Sequence, residues 1–121
     1  MKKYAVVIFA DAKQSTEESL ARALNGLIFA SDLKSRGDDV LIFFQGTGTR
    51  WVAALEDPAH LGHALYQGIK ENIQGASQAC SAVFQADVST VPVLCEFDVP
   101  GIGGVTSLAK YVHEGYSLVT F

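Results

Sequence analysis

Several absences bound what this chain can be. No apolar run approaches the length of about 18 residues that crosses a bilayer, since the longest, Ala5-Val-Val-Ile-Phe-Ala10, lies between Lys3 and Asp11. That run does not read as a signal peptide either, because it is short and opens a patterned segment instead of ending at a small-residue cleavage site, so the expectation is a cytoplasmic protein. Cysteine is scarce: Cys80 and Cys95 form no CxxC, which argues against a zinc ribbon or a dithiol redox motif and leaves two free thiols in a reducing compartment. Charge is lean at 18%, with 9 basic against 13 acidic residues for a net −4, and no Lys/Arg cluster extends beyond Lys2-Lys3. The electrostatic footprint of a nucleic-acid binder is therefore missing.

The usual catalytic and cofactor signatures are missing as well. His60 and His63 stand near Asp57, but Asp57 is better used as a helix cap and no further ligand pair follows, so no metal is expected. No hydroxyl has a His and carboxylate pair of the kind a hydrolase needs. Gly46-Thr-Gly-Thr-Arg50 lacks the third glycine of a dinucleotide fingerprint, and Gly101-Ile-Gly-Gly-Val-Thr106 lacks the lysine of a phosphate loop, so no cofactor is expected. Repeats, linkers and low-complexity tracts are absent too.

What is present is a strongly apolar small chain: 121 residues, 49% hydrophobic, 12.9 kDa, with a mean hydropathy of +0.21 and a pI near 5.2. That mass suits one domain over residues 1–121, with a folded surface of about 6,300 Å² against about 18,700 Å² unfolded. The apolar surplus over what a small monomer needs points to a homo-oligomer, with an interface on the helices that carry Trp51, Leu61, Gly62 and Gly68.

The pattern along the chain is α/β. Tyr4-Ala-Val-Val-Ile-Phe-Ala10 reads as a central strand covered on both faces. Ser15 with Glu18 matches a capping box, and Leu20, Leu24, Leu27, Ile28 and Ala30 make the apolar stripe of a helix that closes at Arg36-Gly37. Val40-Leu-Ile-Phe-Phe-Gln45 is a second buried strand, which makes a right-handed βαβ unit. After a Gly/Thr loop come a short helix from Trp51 and a longer one, capped by Asp57 with Pro58 at its first position, bearing Leu61, Leu65 and Ile69 and running to Asn72. A short, polar third strand precedes Ser77, which caps a helix beginning at Gln78. Val91-Pro-Val-Leu-Cys-Glu-Phe97 reads as a further strand, Pro100-Gly-Ile-Gly-Gly104 as a turn, Thr106 or Ser107 as a cap, and Tyr116-Ser-Leu-Val-Thr-Phe121 as the last strand. The implied fold is a three-layer α/β/α sandwich around a mostly parallel sheet of about five strands.

Ligands of such sheets gather beyond the carboxyl ends of the strands, which here collects Asp11, Thr47, Thr49, Arg50, Ser77, Cys80 and Asp98. Cys80 falls at the third position of the helix from Gln78, where free N–H groups and the helix dipole favour a thiolate. It is either a nucleophile able to hold a persulfide, with Ser77 and Gln78 as local donors, or a small core residue between Ala79 and Ala82. Cys95 lies inside an apolar strand pattern and reads as a structural core residue. The Gly46 to Arg50 and Gly101 to Gly104 segments are either a pocket for a small anion or nucleotide, with Arg50 as counter-charge, or simply tight turns. His113, at a helix C-terminus, is accounted for by the dipole.

The opening strand Ala5-Val-Val-Ile-Phe-Ala10, the helix end Leu33-Lys-Ser-Arg-Gly37, Asp39-Val-Leu-Ile-Phe-Phe-Gln-Gly46, Gly75-Ala-Ser-Gln-Ala-Cys80 and the closing Glu114-Gly-Tyr116 together resemble the DsrE/DsrF-like family, over nearly the whole chain. The resemblance implies a five-stranded parallel sheet between helices and assembly as homotrimers or hexamers. In the sulfur-transferring members it also implies a cysteine after the third strand that carries sulfur as a persulfide between a donor and an acceptor protein. Cys80 occupies that place, although the strand before it is shorter and more polar than the resemblance leads one to expect.

Overall fold

A computed structural model describes residues 1–13 and 16–121. Its accessible surface of 6276 Å² agrees with the value the chain's mass calls for. Five parallel strands form one sheet in the order β4-β3-β2-β1-β7, built from β1 (Lys3–Ile8), β2 (Asp39–Phe44), β3 (Ile73–Ser77), β4 (Val93–Leu94) and β7 (Ser117–Thr120). A separate antiparallel hairpin, β5 (Phe97–Val99) and β6 (Gly103–Val105), stands between β4 and the last helix. The helices are α1 (Glu17–Ser35), α2 (Trp51–Glu56), α3 (His63–Ile69), α4 (Gln78–Val83) and α5 (Leu108–His113).

β1 is interior and its Ala5, Val6, Val7 and Ile8 are fully buried, as a strand covered on both faces must be. The middle position belongs to β2, because β7 returns to pair on the far side of β1. Alternation sends Val6, Ile8, Ile42 and Phe44 to one face, where α1, α2 and α3 cover them, and Ala5, Val7 and Phe43 to the other, where Tyr111 of α5 packs on them.

α1 starts one residue later than the sequence suggests. Its cap is Thr16, whose hydroxyl accepts from Ser19 N–H at 3.0 Å while Ser19 Oγ accepts from Thr16 N–H at 3.2 Å. Ser15 lies outside the described residues. The buried stripe is Ala23, Gly26, Leu27, Ala30 and Leu33, and Ile28 is left 50% exposed. Small residues win because the helix sits close on the sheet: a Cβ on Gly26 would stand only 2.5 Å from Ile8 Cδ1. The helix ends, as the pattern indicates, before Gly37 with φ +85.

The structure corrects two elements. The helix expected from Pro58 to Asn72 is only α3 and a 3-10 turn over Lys70–Asn72. The Asp57 carboxylate accepts from Ala59 N–H at 2.9 Å and its carbonyl from His60 N–H at 3.0 Å, which closes a turn in place of a helical start. Leu61 is thereby left in a turn at 79% exposure, while Ile69 is buried as expected and Tyr66 is buried with it. The strand expected over residues 91–97 breaks at Cys95. Only Val93 and Leu94 pair with β3, since β3 itself turns into α4 after Ser77, and Glu96 N–H donates to Val105 O at 2.8 Å. Trp51 and Gly62, assigned above to an interface, are buried within this chain, Trp51 donating from Nε1 to Ala10 O at 2.7 Å.

Candidate functional site

The register pairs Ile8 with Phe44 and Phe44 with Ala76, so β1, β2 and β3 end at one level and hand their following segments to the same edge. Residues 46–50 form a 3-10 turn there that is locked onto β1. Thr47 Oγ1 donates to Phe9 O at 3.0 Å, Thr49 Oγ1 to Gly46 O at 2.8 Å, and Gly48 N–H to Gln45 O at 2.8 Å. Gly48 approaches β1 so closely that a Cβ on it would overlap the Ile8 carbonyl. The hydroxyls of Thr47 and Thr49 thus bind the chain's own backbone, and the turn's role is to aim Arg50.

Arg50 reaches back across the edge. Its Nη1 donates to Asp11 Oδ1 at 3.0 Å and its Nε to Phe84 O at 3.0 Å, and the guanidinium lies 5.6 Å from the Phe84 ring centroid. Both side chains of the ion pair are about four-fifths buried, at 20% and 21% exposure. Beside this pair opens a cleft of about 340 Å³ lined by Ala12, Lys13, Arg50, Ala54, Phe84 and Gln85. Gln85 holds the left-handed conformation at φ +53, which turns the chain away after α4.

Ser77 is the N-cap of α4 and Cys80 its third residue, as the sequence indicates. Cys80 is a half-buried free thiol. Cys80 lies one turn before Phe84, whose N–H donates to Cys80 O at 3.0 Å, but it is not among the residues that line the cleft. Ser81 Oγ closes on Ser77 O at 2.7 Å, whereas Ser77 Oγ, fully buried, has no hydrogen-bond partner among the described residues. Gln78 is exposed. With six residues, α4 has little macrodipole to offer, and what distinguishes Cys80 is its position at the edge.

Other candidates fall elsewhere. Asp98 lies exposed on β5 opposite Gly104, and no bond joins it to Asp11 or Arg50 among the described residues. Gly101 to Gly104 turn a hairpin. Cys95, expected in the core, is exposed, because the chain leaves the sheet at that residue. His63 Nδ1 lies 2.7 Å from Leu55 O, and His60 Nδ1 accepts from Gly62 N–H at 3.0 Å, so both histidines serve local structure. Among the described residues no group of three or more His, Cys, Asp or Glu could hold a metal ion. No helix among them is long and apolar enough to cross a membrane.

Sequence reasoning missed Lys13, Phe84 and Gln85 as cleft walls; only Phe84 had a signal, its spacing of four from Cys80. It also missed Glu96, which accepts from Tyr111 Oη at 2.7 Å, Lys110 Nζ at 3.0 Å and Ser107 N–H at 3.2 Å. Burial works to raise the Glu96 pKa, but those three bonds outweigh it and hold the carboxyl below its ordinary value.

The parallel five-stranded sheet between helices makes this a small α/β protein, and comparison with known sequences agrees with that fold class. The chain belongs to the DsrE/DsrF-like family, whose sequence model matches residues 2–121. It is similar to an uncharacterized protein, MJ0733, of Methanocaldococcus jannaschii, at 26% identity over 118 residues that cover 97% of this chain and 93% of that one. No solved structure matches it.

Proposed function

We propose that the protein is a cytoplasmic sulfur carrier in which Cys80 accepts a sulfane sulfur from a donor persulfide and passes it to an acceptor thiol, at most a sulfurtransferase-like activity. The observation that carries this reading is the half-buried free thiol of Cys80 on the helix that leaves β3, in a chain of the DsrE/DsrF-like family. In the loading step the Cys80 sulfur attacks the outer sulfur of the donor, the donor S–S bond breaks as the new one forms, and the donor leaves as a thiol carrying the proton lost by Cys80. The Ser77 hydroxyl is the nearest support that sequence adjacency provides, and Gln78 flanks it. Donor and acceptor are themselves proteins or small thiols. Assembly as a homotrimer or hexamer is part of the same proposal, supported by apolar side chains left open on the hairpin turn, α5 and β7, among them Ile102 at 60%, Val112 at 49% and Leu118 at 37% exposure.

Incubation with a low-molecular-weight persulfide followed by mass spectrometry tests the reading. A gain of one sulfur on the peptide holding Cys80, lost in Cys80→Ser, is expected; no gain on that peptide would sink it.

A second reading is favoured by the cleft: Lys13 and Arg50 on its walls suit a small anion. Phosphate, sulfate and nucleotides should then raise the melting temperature, because a ligand at 100 times its dissociation constant adds about 2.7 kcal/mol, and Arg50→Gln should abolish the shift.

A further inference from the structure

We infer that the protein holds a planar heteroaromatic ring, of the flavin or nucleobase kind, in a cleft at the carboxyl ends of β1 and β7. This site shares no residue with the cleft beside Lys13 and Arg50.

Topology points to this place first. The chain steps outward from β1 through β2 and β3 to β4, then crosses back to lay β7 on the opposite side of β1, so the strand order reverses between β1 and β7. The helix leaving β1, α1, lies on one face of the sheet and the helix entering β7, α5, on the other. At such a reversal the connections part and a crevice opens beyond the carboxyl ends of the strands, where open α/β sheets take their ligands. A cleft of about 430 Å³ lies there, lined by Phe9, Arg22, Thr120 and Phe121, and its volume is in the range of small-molecule sites.

The walls are anchored and their chemistry is selective. Phe9 N–H donates to Phe121 O at 2.7 Å and Phe9 O accepts from Thr47 Oγ1 at 3.0 Å, which holds the backbone of Phe9 while the residue stays 43% exposed. Phe121 packs against α1 where Gly26 has no side chain, since a Cβ there would stand 2.9 Å from Phe121 Cγ, and its ring meets that of Phe29 at a centroid distance of 5.9 Å. Two aromatic side chains on anchored backbone offer stacking surface to a flat ring at little ordering cost. The polar groups of the lining, the Arg22 guanidinium and the Thr120 hydroxyl, both donate hydrogen bonds. Arg22 is paired with Glu18 one turn earlier in α1, so it brings donors without net charge. A neutral ring with acceptors on its edge, carbonyl oxygens or ring nitrogens, meets that combination. A bare phosphate meets neither the rings nor an uncompensated cation.

The test titrates the full chain with riboflavin and, separately, with adenosine by equilibrium dialysis. Saturable binding of at least one of them is expected, and the tighter of the two assigns the flavin or the nucleobase class. Phe9→Ala should weaken that binding about tenfold, the worth of one stacked ring, and Arg22→Met about fivefold, the worth of one hydrogen bond. Should Phe9→Ala fail to fold, Arg22→Met decides. Inorganic phosphate should not compete. Binding of neither ring overturns the inference, and so does binding that is indifferent to Phe9→Ala or is displaced by phosphate, which would put the ring in the cleft beside Arg50. Binding of neither ring together with a smaller assembly in Phe9→Ala also overturns it and assigns this cleft to a contact between copies of the chain.

Discussion

The two faces of the sheet are covered unequally. On one, α1, α2 and α3 close over a continuous cluster that includes Val6, Ile8, Leu27, Phe44, Trp51 and Tyr66. On the other the buried cluster is Ala5, Val7, Phe43 and Tyr111, under a single six-residue helix. Geometry explains the contrast. Five strands span about 19 Å between the outer strand axes, whereas one helix covers about 10 Å, so α5 leaves strand surface uncovered. Leu118 shows it: paired with Ala5, it faces the thinly covered side and remains 37% exposed. The thick face secures the fold, and the thin face leaves apolar strand surface open.

The contrast is tested most severely by Leu27→Ala on the thick face. Leu27 is fully buried, and its truncation should cost about 2–5 kcal/mol in urea unfolding; a cost near zero would mean that the large cluster is loosely packed. Polar contacts should carry relatively more on the thin face. Glu96→Gln should cost about 1–2 kcal/mol at neutral pH, since it weakens the bonds to Tyr111 and Lys110 that tie the hairpin to α5. The Glu96 pKa is held below 4.5, so its contribution is complete above that pH and is lost as the pH falls through the folded value. The gap between parent and Glu96→Gln should therefore close in acid, and a pH-independent gap would assign the effect to packing. The smallest stability effect is expected for Val112→Ser with Leu118→Ser, within about 0.5 kcal/mol for an isolated chain. Sedimentation should nonetheless show a smaller assembly than the parent; an unchanged assembly would remove this face from the interface.

Much of this was legible in the sequence because it depends on local pattern. The continuous apolar run of β1, the extent of α1 up to Gly37, and Ser77 at the head of α4 each follow from neighbours within one or two turns. The misread elements were decided at long range. Cys95 sits in a run that scores as buried strand, but β3 turns away after Ser77 and leaves it no partner. Asp57 could head a helix, but residues 57–62 are folded into turns against Leu24 and Leu55. The cleft joins Lys13, Arg50 and Phe84, residues far apart in the chain that no periodicity relates.

The sequence by itself determined the α/β class, the family and the position of Cys80, since strand and helix periods and turn residues are properties of adjacent positions. Tertiary structure alone decided which thiol stands open, that Arg50 is held between Asp11 and the Phe84 carbonyl, and that one face is thickly covered and the other thinly. Those outcomes depend on which backbone groups remain unpaired and which volumes remain unfilled once the sheet has closed, and neither quantity is carried by any one stretch of chain.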